Sequence, residues 1–355
     1  MGVPLKKWFR RCARPFRRLW FQCQIKIFGR AQFVDWTFEA VQATSGAFVT
    51  YHDRPVMAAA VGAERGGTRD LESLALVIQG PIVNDAGFTL ETLKIYQRNF
   101  KGARIILSTW EDQAAVFVKQ CEDMGITVLQ NAKPEYRGMY NINLQIVSTL
   151  NGVRLAKACG AEHVLKMRTD QRIYGPNAAD TLYAIIGTFP VSGRYPKQKK
   201  RIVGCSLNTF KYRLYGLSDM LLFGCSDDML TYWDVALDER RFSDDDIRQA
   251  GTSLRAEAEW RVCEVYLATE FLKRVGRELQ WSLEDSWNAF RDHFCIVDRE
   301  HLDLYWPKYT SREYRSLSYG KNQSCQELSF GEWLHLYAQS ESVRAPEYIL
   351  DLPFR

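Results

Sequence analysis

Residues Leu165-Lys166-Met167-Arg168-Thr169-Asp170-Gln171-Arg172 hold the densest set of groups in this chain that could do chemistry. In a strand, alternation puts Lys166, Arg168, Asp170 and Arg172 on one face. Charges on one face of an otherwise apolar strand are costly unless they meet solvent or a ligand. Three cations around one carboxylate suit a diphosphate: the cations neutralise phosphate oxygens, and Asp170 can hold a divalent ion or a sugar hydroxyl. The competing reading is an internal salt-bridge network at the strand end. The sequence has no GxxxxGK[ST], no GxGxxG after a strand, and no HExxH, GxSxG or EF-hand loop. P-loop hydrolysis and hydride transfer through a dinucleotide fingerprint are thereby set aside.

The elements that must position these groups are legible in the apolar pattern. Leu74–Ile78 is an uninterrupted apolar run that stops at Gln79-Gly80-Pro81, as a strand buried on both faces would. Phe88–Phe100 has Leu90, Leu93, Tyr96 and Phe100 on a helical face, and Ala103–Leu107 is a second apolar strand leading into Ser108-Thr109-Trp110. Ala114, Phe117, Cys121 and Met124 mark a helix closed by Gly125, and Ile126–Leu129 is a third strand. A helix over about Asn141–Ala158 buries Ile142, Ile146, Leu150 and Val153, and His163–Met167 begins a fourth strand. Ile202–Ser206 and Met220–Phe223 read as short strands, and Ala256–Val275 as one helix with Trp260, Cys263, Leu267 and Phe271 inward. This rhythm predicts an α/β fold with a mainly parallel central sheet covered by helices. Ligands gather at the carboxyl ends of such strands, which selects Gln79, Gly80 and Pro81, then Ser108, Thr109 and Trp110, then the residues around Asp170.

Composition agrees: 355 residues, 46% apolar and 25% charged, can bury a full core, and disorder or a disulfide-stapled scaffold is excluded. The net charge of +5 is unevenly spread. Nine of the 47 Lys and Arg lie in residues 1–34, which hold no acid, so the rest of the chain sets 38 cations against 42 anions. The folded body is therefore no nucleic-acid surface. In the arm, Leu5, Trp8, Phe9, Cys12, Phe16, Leu19, Trp20 and Cys23 recur mostly at spacings of three and four with basic residues between them, the pattern of a helix that lies on an anionic membrane. A solvated tail or a helix docked on its own protein is the alternative, and Pro15 is expected to kink or divide the helix. The arm lacks the apolar run of a signal peptide, and no stretch reaches membrane-spanning length. Nine scattered cysteines with no CxxC pair point to reduced thiols in the cytosol and against a zinc ribbon.

Four segments, Val77-Ile78-Gln79-Gly80-Pro81, Ile105-Ile106-Leu107-Ser108-Thr109-Trp110-Glu111, Asn141-Ile142-Asn143-Leu144-Gln145-Ile146-Val147-Ser148-Thr149 and Leu165-Lys166-Met167-Arg168-Thr169-Asp170, occur in this order in the WavE lipopolysaccharide-synthesis family. The chain resembles that family from about Leu74 to the Pro307-Lys308-Tyr309 region. The resemblance implies a glycosyltransferase of GT-A type that uses a nucleotide-sugar donor. It implies that Gln79, Gly80 and Pro81 border the base and ribose, and that Ser108, Thr109, Trp110, Glu111 and Asp112 line the adjoining crevice, with core packing as the alternative for Trp110. Asn141, Asn143 and Gln145 would bond the sugar or, for Asn141 above all, cap the helix. Asp170 takes the place of the metal-binding Asp in the family's Asp-x-Asp element. Arg168 stands where the first Asp would be, so Mg²⁺ or Mn²⁺ at Asp170 and replacement of the ion by Lys166, Arg168 and Arg172 both stay open. A general base is sought at Glu259, then Glu257, with Asp227 and Asp228 behind them; a first-turn carboxylate also serves the helix dipole. His293 is either a late metal or phosphate ligand or a structural histidine.

The expected organisation is a membrane-surface arm over residues 1–34, a lead-in or linker over 35–73, a GT-A-like domain over 74–300 and an aromatic-rich extension over 301–355 packed on it. The expected activity is transfer of a sugar to a lipid-linked or polysaccharide acceptor at the cytoplasmic face of the bacterial membrane. The rivals are a non-catalytic membrane-associated assembly factor, which the broken Asp-x-Asp element favours, and a sugar-phosphate nucleotidyltransferase, against which the missing Gly-rich basic loop counts.

Overall fold

The structure is a computed structural model that describes residues 5–45, 52–308, 324, 326–339 and 346–353. It divides into two units, residues 1–54 and 55–355.

The first unit is a pair of helices, α1 (Leu5–Phe28) and α2 (Arg30–Ser45). The expected break at Pro15 is not there: α1 runs through it, and the chain turns instead at Gly29, whose φ of 80° suits a residue without a Cβ. Trp20 and Phe21 pack edge-on against Phe33, and Phe28 against Trp36 at 5.0 Å, so the two helices touch through rings. Phe16, Leu19, Trp20, Ile27 and Trp36 stay exposed. No described helix is long and apolar enough to cross a membrane.

In the second unit, β1 (Leu74–Gln79), β2 (Arg104–Trp110), β3 (Thr127–Asn131) and β4 (His163–Arg168) form a parallel block. After the two-residue β5 (Arg172–Ile173), β6 (Ile202–Cys205), β7 (Leu222–Cys225) and β8 (Phe294–Val297) complete a seven-stranded sheet of order β3-β2-β1-β4-β7-β6-β8. β7 alone runs against its neighbours. The α/β class with a mainly parallel sheet is as expected. β1, between β2 and β4, is buried along its whole length, as a strand covered on both faces is.

The helices of this unit before β8 are α3 (Phe88–Asn99), α4 (Ala115–Asp123), α5 (Ile142–Ala158), α6 (Ala178–Thr188), α7 (Ser226–Trp233), α8 (Asp244–Ala250), α9 (Leu254–Glu259), α10 (Cys263–Arg274) and α11 (Leu283–His293). α5 lies so close to β1 that a Cβ on Gly152 would stand 2.4 Å from Val77 Cγ1. β9 (Leu304–Tyr305) pairs with β5, and α12 (Phe330–Ala338) buries Trp333 against Phe189 at 4.9 Å.

Three expectations are corrected. Residues 55–73 are no loose linker: Ala58, Val61 and Leu71 are buried, the Ala58 amide donates to Glu91 at 2.7 Å, and Arg65 forks onto Asp180 at 2.8 and 2.9 Å. A few apolar anchors without a period do this, and no periodic pattern betrays them. The single helix over 256–275 is two, because Arg261 takes a φ of 47° and Val262 is extended between α9 and α10. The strand through residue 172 ends at Arg168; Thr169 and Asp170 turn the chain, and Arg172 belongs to the separate β5–β9 pair.

Candidate functional site

At the carboxyl end of β4, Arg168 closes a fork on Asp170, with Nε and Nη2 each 2.8 Å from a carboxylate oxygen. Trp306 donates its indole N–H to the same carboxylate at 2.9 Å, and the guanidinium lies 5.3 Å over the Trp306 ring. Both side chains keep about a quarter of their surface exposed, 25% and 26%. Burial pushes the Asp170 carboxyl up, but Arg168 and Trp306 outweigh it and hold it below the usual range.

One layer deeper, Lys166 is fully buried. Its ammonium donates to the Asp219 backbone carbonyl and sits 4.9 Å over the Trp233 ring. Burial lowers it to about 8, against the pull of the Asp219 carboxylate, which burial in turn raises. Asp219 arrives here because β7 runs antiparallel, so the residues before it lie at the carboxyl edge of β4. The break between α9 and α10 turns Cys263 and Glu264 to the same place: the Asp219, Cys263 and Glu264 ligand atoms lie within 4.8 Å of one another. Asn208 donates to Glu264 at 2.6 Å, and buried Arg213 holds Glu257 at 2.6 Å with Glu264 at 3.6 Å. Gln145 from α5 bonds Asp219. Tyr140, half-exposed, lies in the field of Glu257, Glu264 and Arg213.

Of the residues expected from sequence, Gln145, Lys166, Arg168, Asp170 and Glu257 come together here. The others do not. Gln79 and Ser108 are buried in a polar network beneath the strand ends, where Ser148 donates to Gln79 at 2.9 Å, Ser108 to the Ser148 carbonyl at 2.6 Å, and Asn131 to Ser108 at 2.9 Å. Thr109 and Trp110 are buried too, the latter as the core residue its alternative reading allowed. Gly80 is buried with φ 123°, and a Cβ there would meet Thr169 Oγ1 at 2.8 Å, so its role is backbone passage. Pro81, Glu111 and Asp112 are exposed, with Asp112 paired to Lys133. Asn141 is the cap residue of α5 in left-handed conformation, without a side-chain capping bond, and Asn143 is spent on the backbone of Asp238 and Tyr136.

Arg172 is sealed inside, donating to Thr92, Val56, Phe88 and Tyr174, and reaches no site. Glu259 lies exposed at the end of α9, so of the two glutamates it is Glu257 that faces the cluster. Asp227 and Asp228 sit at the opposite, amino edge of β4, where Cys225 pairs with His163; Asp227 binds Lys157 and Lys199, and Asp228 accepts the amides of Lys199 and Lys200. His293, at the same edge before β8, is buried with Nδ1 2.6 Å from Gln198 Oε1, and burial lowers it to about 3, the mark of a structural histidine.

A divalent ion does not fit at Asp170: both oxygens already accept from Arg168, one of them also from Trp306, and no second anionic group stands at the position of Arg168. Asp219, Arg213, Cys263, Glu264 and Trp306 escaped the sequence reading. The direction of β7 would have found Asp219, and the helix break would have found Glu264. Trp306 comes from a tail without periodicity and carried no signal.

A profile of the WavE lipopolysaccharide synthesis family matches residues 74–351. Among curated proteins none matches the chain. Among solved structures, a cytidylyltransferase from Leptospira borgpetersenii serovar Hardjo-bovis (strain JB197) aligns at 12% identity over 77% of this chain and 99% of its own, with a TM-score of 0.33. A likeness that loose carries no argument about activity. The family match, by contrast, takes in the whole central sheet and every residue of the site: the chain belongs to the WavE lipopolysaccharide synthesis family.

Proposed function

We propose that this protein is a glycosyltransferase of lipopolysaccharide or surface-polysaccharide synthesis, moving a sugar from a nucleotide-sugar donor to a lipid-linked or polysaccharide acceptor. The observation that carries this reading is the gathering of Arg168, Asp170 and Trp306 at the carboxyl edge of the sheet, beside the one reversed strand. Ligands of open α/β sheets bind outside the carboxyl ends of the strands. A guanidinium with exposed surface offers a planar fork that matches phosphate as well as carboxylate. In this reading Arg168 takes donor phosphate oxygens, Lys166 adds a buried positive charge behind it, and Asp170 accepts from a sugar hydroxyl. No ion at Asp170 is invoked. Counting only the sheet's own strands, the order is 3-2-1-4-6-5-7 with the sixth reversed, which supports a GT-A-like frame.

The same proposal gives the basic helical pair a partner. Exposed Phe16, Leu19, Trp20, Ile27 and Trp36 beside Arg17, Arg18, Lys26 and Arg30 suit the headgroup region of an anionic membrane, where a lipid-linked acceptor would be held. The protein would then work as a peripheral protein on the cytoplasmic face.

Thermal unfolding of the full chain with UDP-, GDP-, CMP- and dTDP-sugars tests the reading. Stabilisation by one nucleotide class is expected, reduced in Arg168→Met. No stabilisation by any of them would overturn it and favour the non-catalytic assembly role. Pyrophosphate release from a nucleoside triphosphate and a sugar phosphate would mark nucleotidyl transfer instead.

A further inference from the structure

The buried cluster behind Arg168 and Asp170 is built like a cation site of a different kind. Asp219 precedes β7, and Cys263 and Glu264 open α10; their ligand atoms lie within 4.8 Å of one another and all three residues are buried. The Cys263 thiol is 3.1 Å from a Glu264 oxygen and 3.8 Å from an Asp219 oxygen. Three such groups alone do not make a site. Two further observations point to a missing ligand. Gln145, more than nine-tenths buried, bonds Asp219 and has no partner for its Oε1. The Tyr232 hydroxyl, fully buried, is also without a partner, and the groups that act on it are Asp219, Cys263 and Glu264. Buried polar atoms are nearly always satisfied; here one unsatisfied atom belongs to a side chain bonded to Asp219 and the other lies in the field of all three ligands, which calls for an occupant.

Charge sharpens the identity of that occupant. Lys166 faces Asp219, and Arg213 is shared between Glu257 and Glu264, so three carboxylates meet two cations and one negative charge is uncompensated. A divalent cation that displaces the Cys263 proton to solvent adds two positive charges against that residual charge and the new thiolate. The buried set then closes neutral. A sulfur ligand beside carboxylate and amide oxygens selects a borderline-soft ion of the zinc class over Mg²⁺ or Ca²⁺, which take oxygen donors.

We propose that Asp219, Cys263, Glu264 and the Gln145 carbonyl oxygen form a buried zinc site that ties the start of β7 to the first turn of α10. It is separate from Asp170, whose carboxylate is already held by Arg168 and Trp306. With protein donors on all sides, the role is structural: the metal fixes the turn after α9 and the floor beneath the Arg168–Asp170 pair.

Metal analysis of the purified full chain, followed by chelation and titration with Zn²⁺ and Co²⁺ alone, tests this. About one zinc per chain is expected, with a near-ultraviolet thiolate-to-cobalt band on Co²⁺ loading. Cys263→Ser should lose the band and Glu264→Gln should weaken zinc binding about tenfold or more, each with wild-type circular dichroism, while Asp170→Asn keeps both. A wild-type chain that carries no zinc and shows no cobalt band overturns the proposal. So does an undiminished band in Cys263→Ser, or its loss in Asp170→Asn, which would show that the buried set does not hold the metal independently of Asp170.

Discussion

Arg213 and Glu257 show what a single residue's environment does to its reading. Glu257 is one of two glutamates in the Glu257-Ala258-Glu259 stretch, and by sequence alone either suits a general base. In the folded chain its carboxylate is 7% exposed and closed on Arg213, itself 4% exposed, which makes it the counter-ion of a buried guanidinium. Removing one partner of such a pair leaves an uncompensated charge. Arg213→Met and Glu257→Gln are each expected to lower stability by about 3–5 kcal/mol in urea unfolding, and Arg213→Met/Glu257→Leu together to recover most of that loss. A single variant that loses under about 1 kcal/mol would show that the pair is solvated and return Glu257 to the list of catalytic candidates. The same rule of context separates Arg168 from Arg172. Four residues apart in the sequence, one has exposed surface at a strand end and the other is enclosed by backbone carbonyls and a tyrosine hydroxyl.

At the scale of elements, the apolar runs located β1 to β4 and α5 to within a few residues, because a strand buried on both faces and a helix with one buried stripe leave distinct periods. Where strand and helix lie closest, one residue sets the distance. Gly152 on α5 has no room for a side chain above Val77, whereas Gly187 in α6 has nothing within 4 Å of where its Cβ would be. Gly152→Ala should therefore destabilise by about 1–3 kcal/mol, while Gly187→Ala should be neutral or gain up to about 1 kcal/mol from reduced chain entropy. Equal effects in thermal unfolding would mean that α5 shifts freely on the sheet. Three features were not legible at this scale: the end of β4 at Arg168, the break of α9 from α10, and the direction of β7. Each depends on backbone turns or strand pairing that an apolar pattern does not encode.

For the whole molecule, the net charge of +5 describes no surface. Residues 1–34 carry nine cations and no anion, and the remainder is net acidic by four. With each cation worth about 1 kcal/mol near an anionic bilayer, the basic helices should dominate membrane attachment. The full chain is expected to sediment with vesicles containing phosphatidylglycerol at low salt and to be released at high salt, and residues 55–355 alone to stay in the supernatant. Sedimentation of the shortened chain to the same extent would remove the helical pair from that role. By itself the sequence determined the α/β class, the parallel block of the sheet and the family, and it pointed to the carboxyl edge as the place to expect a ligand. These follow from local periodicity and short ordered segments, which survive without knowledge of neighbours. Only the tertiary structure decided which charges meet at that edge. Asp219, Arg213, Cys263, Glu264 and Trp306 reach Lys166, Arg168 and Asp170 from distant parts of the chain, through a strand whose direction is set by its neighbours and a helix that breaks in mid-course.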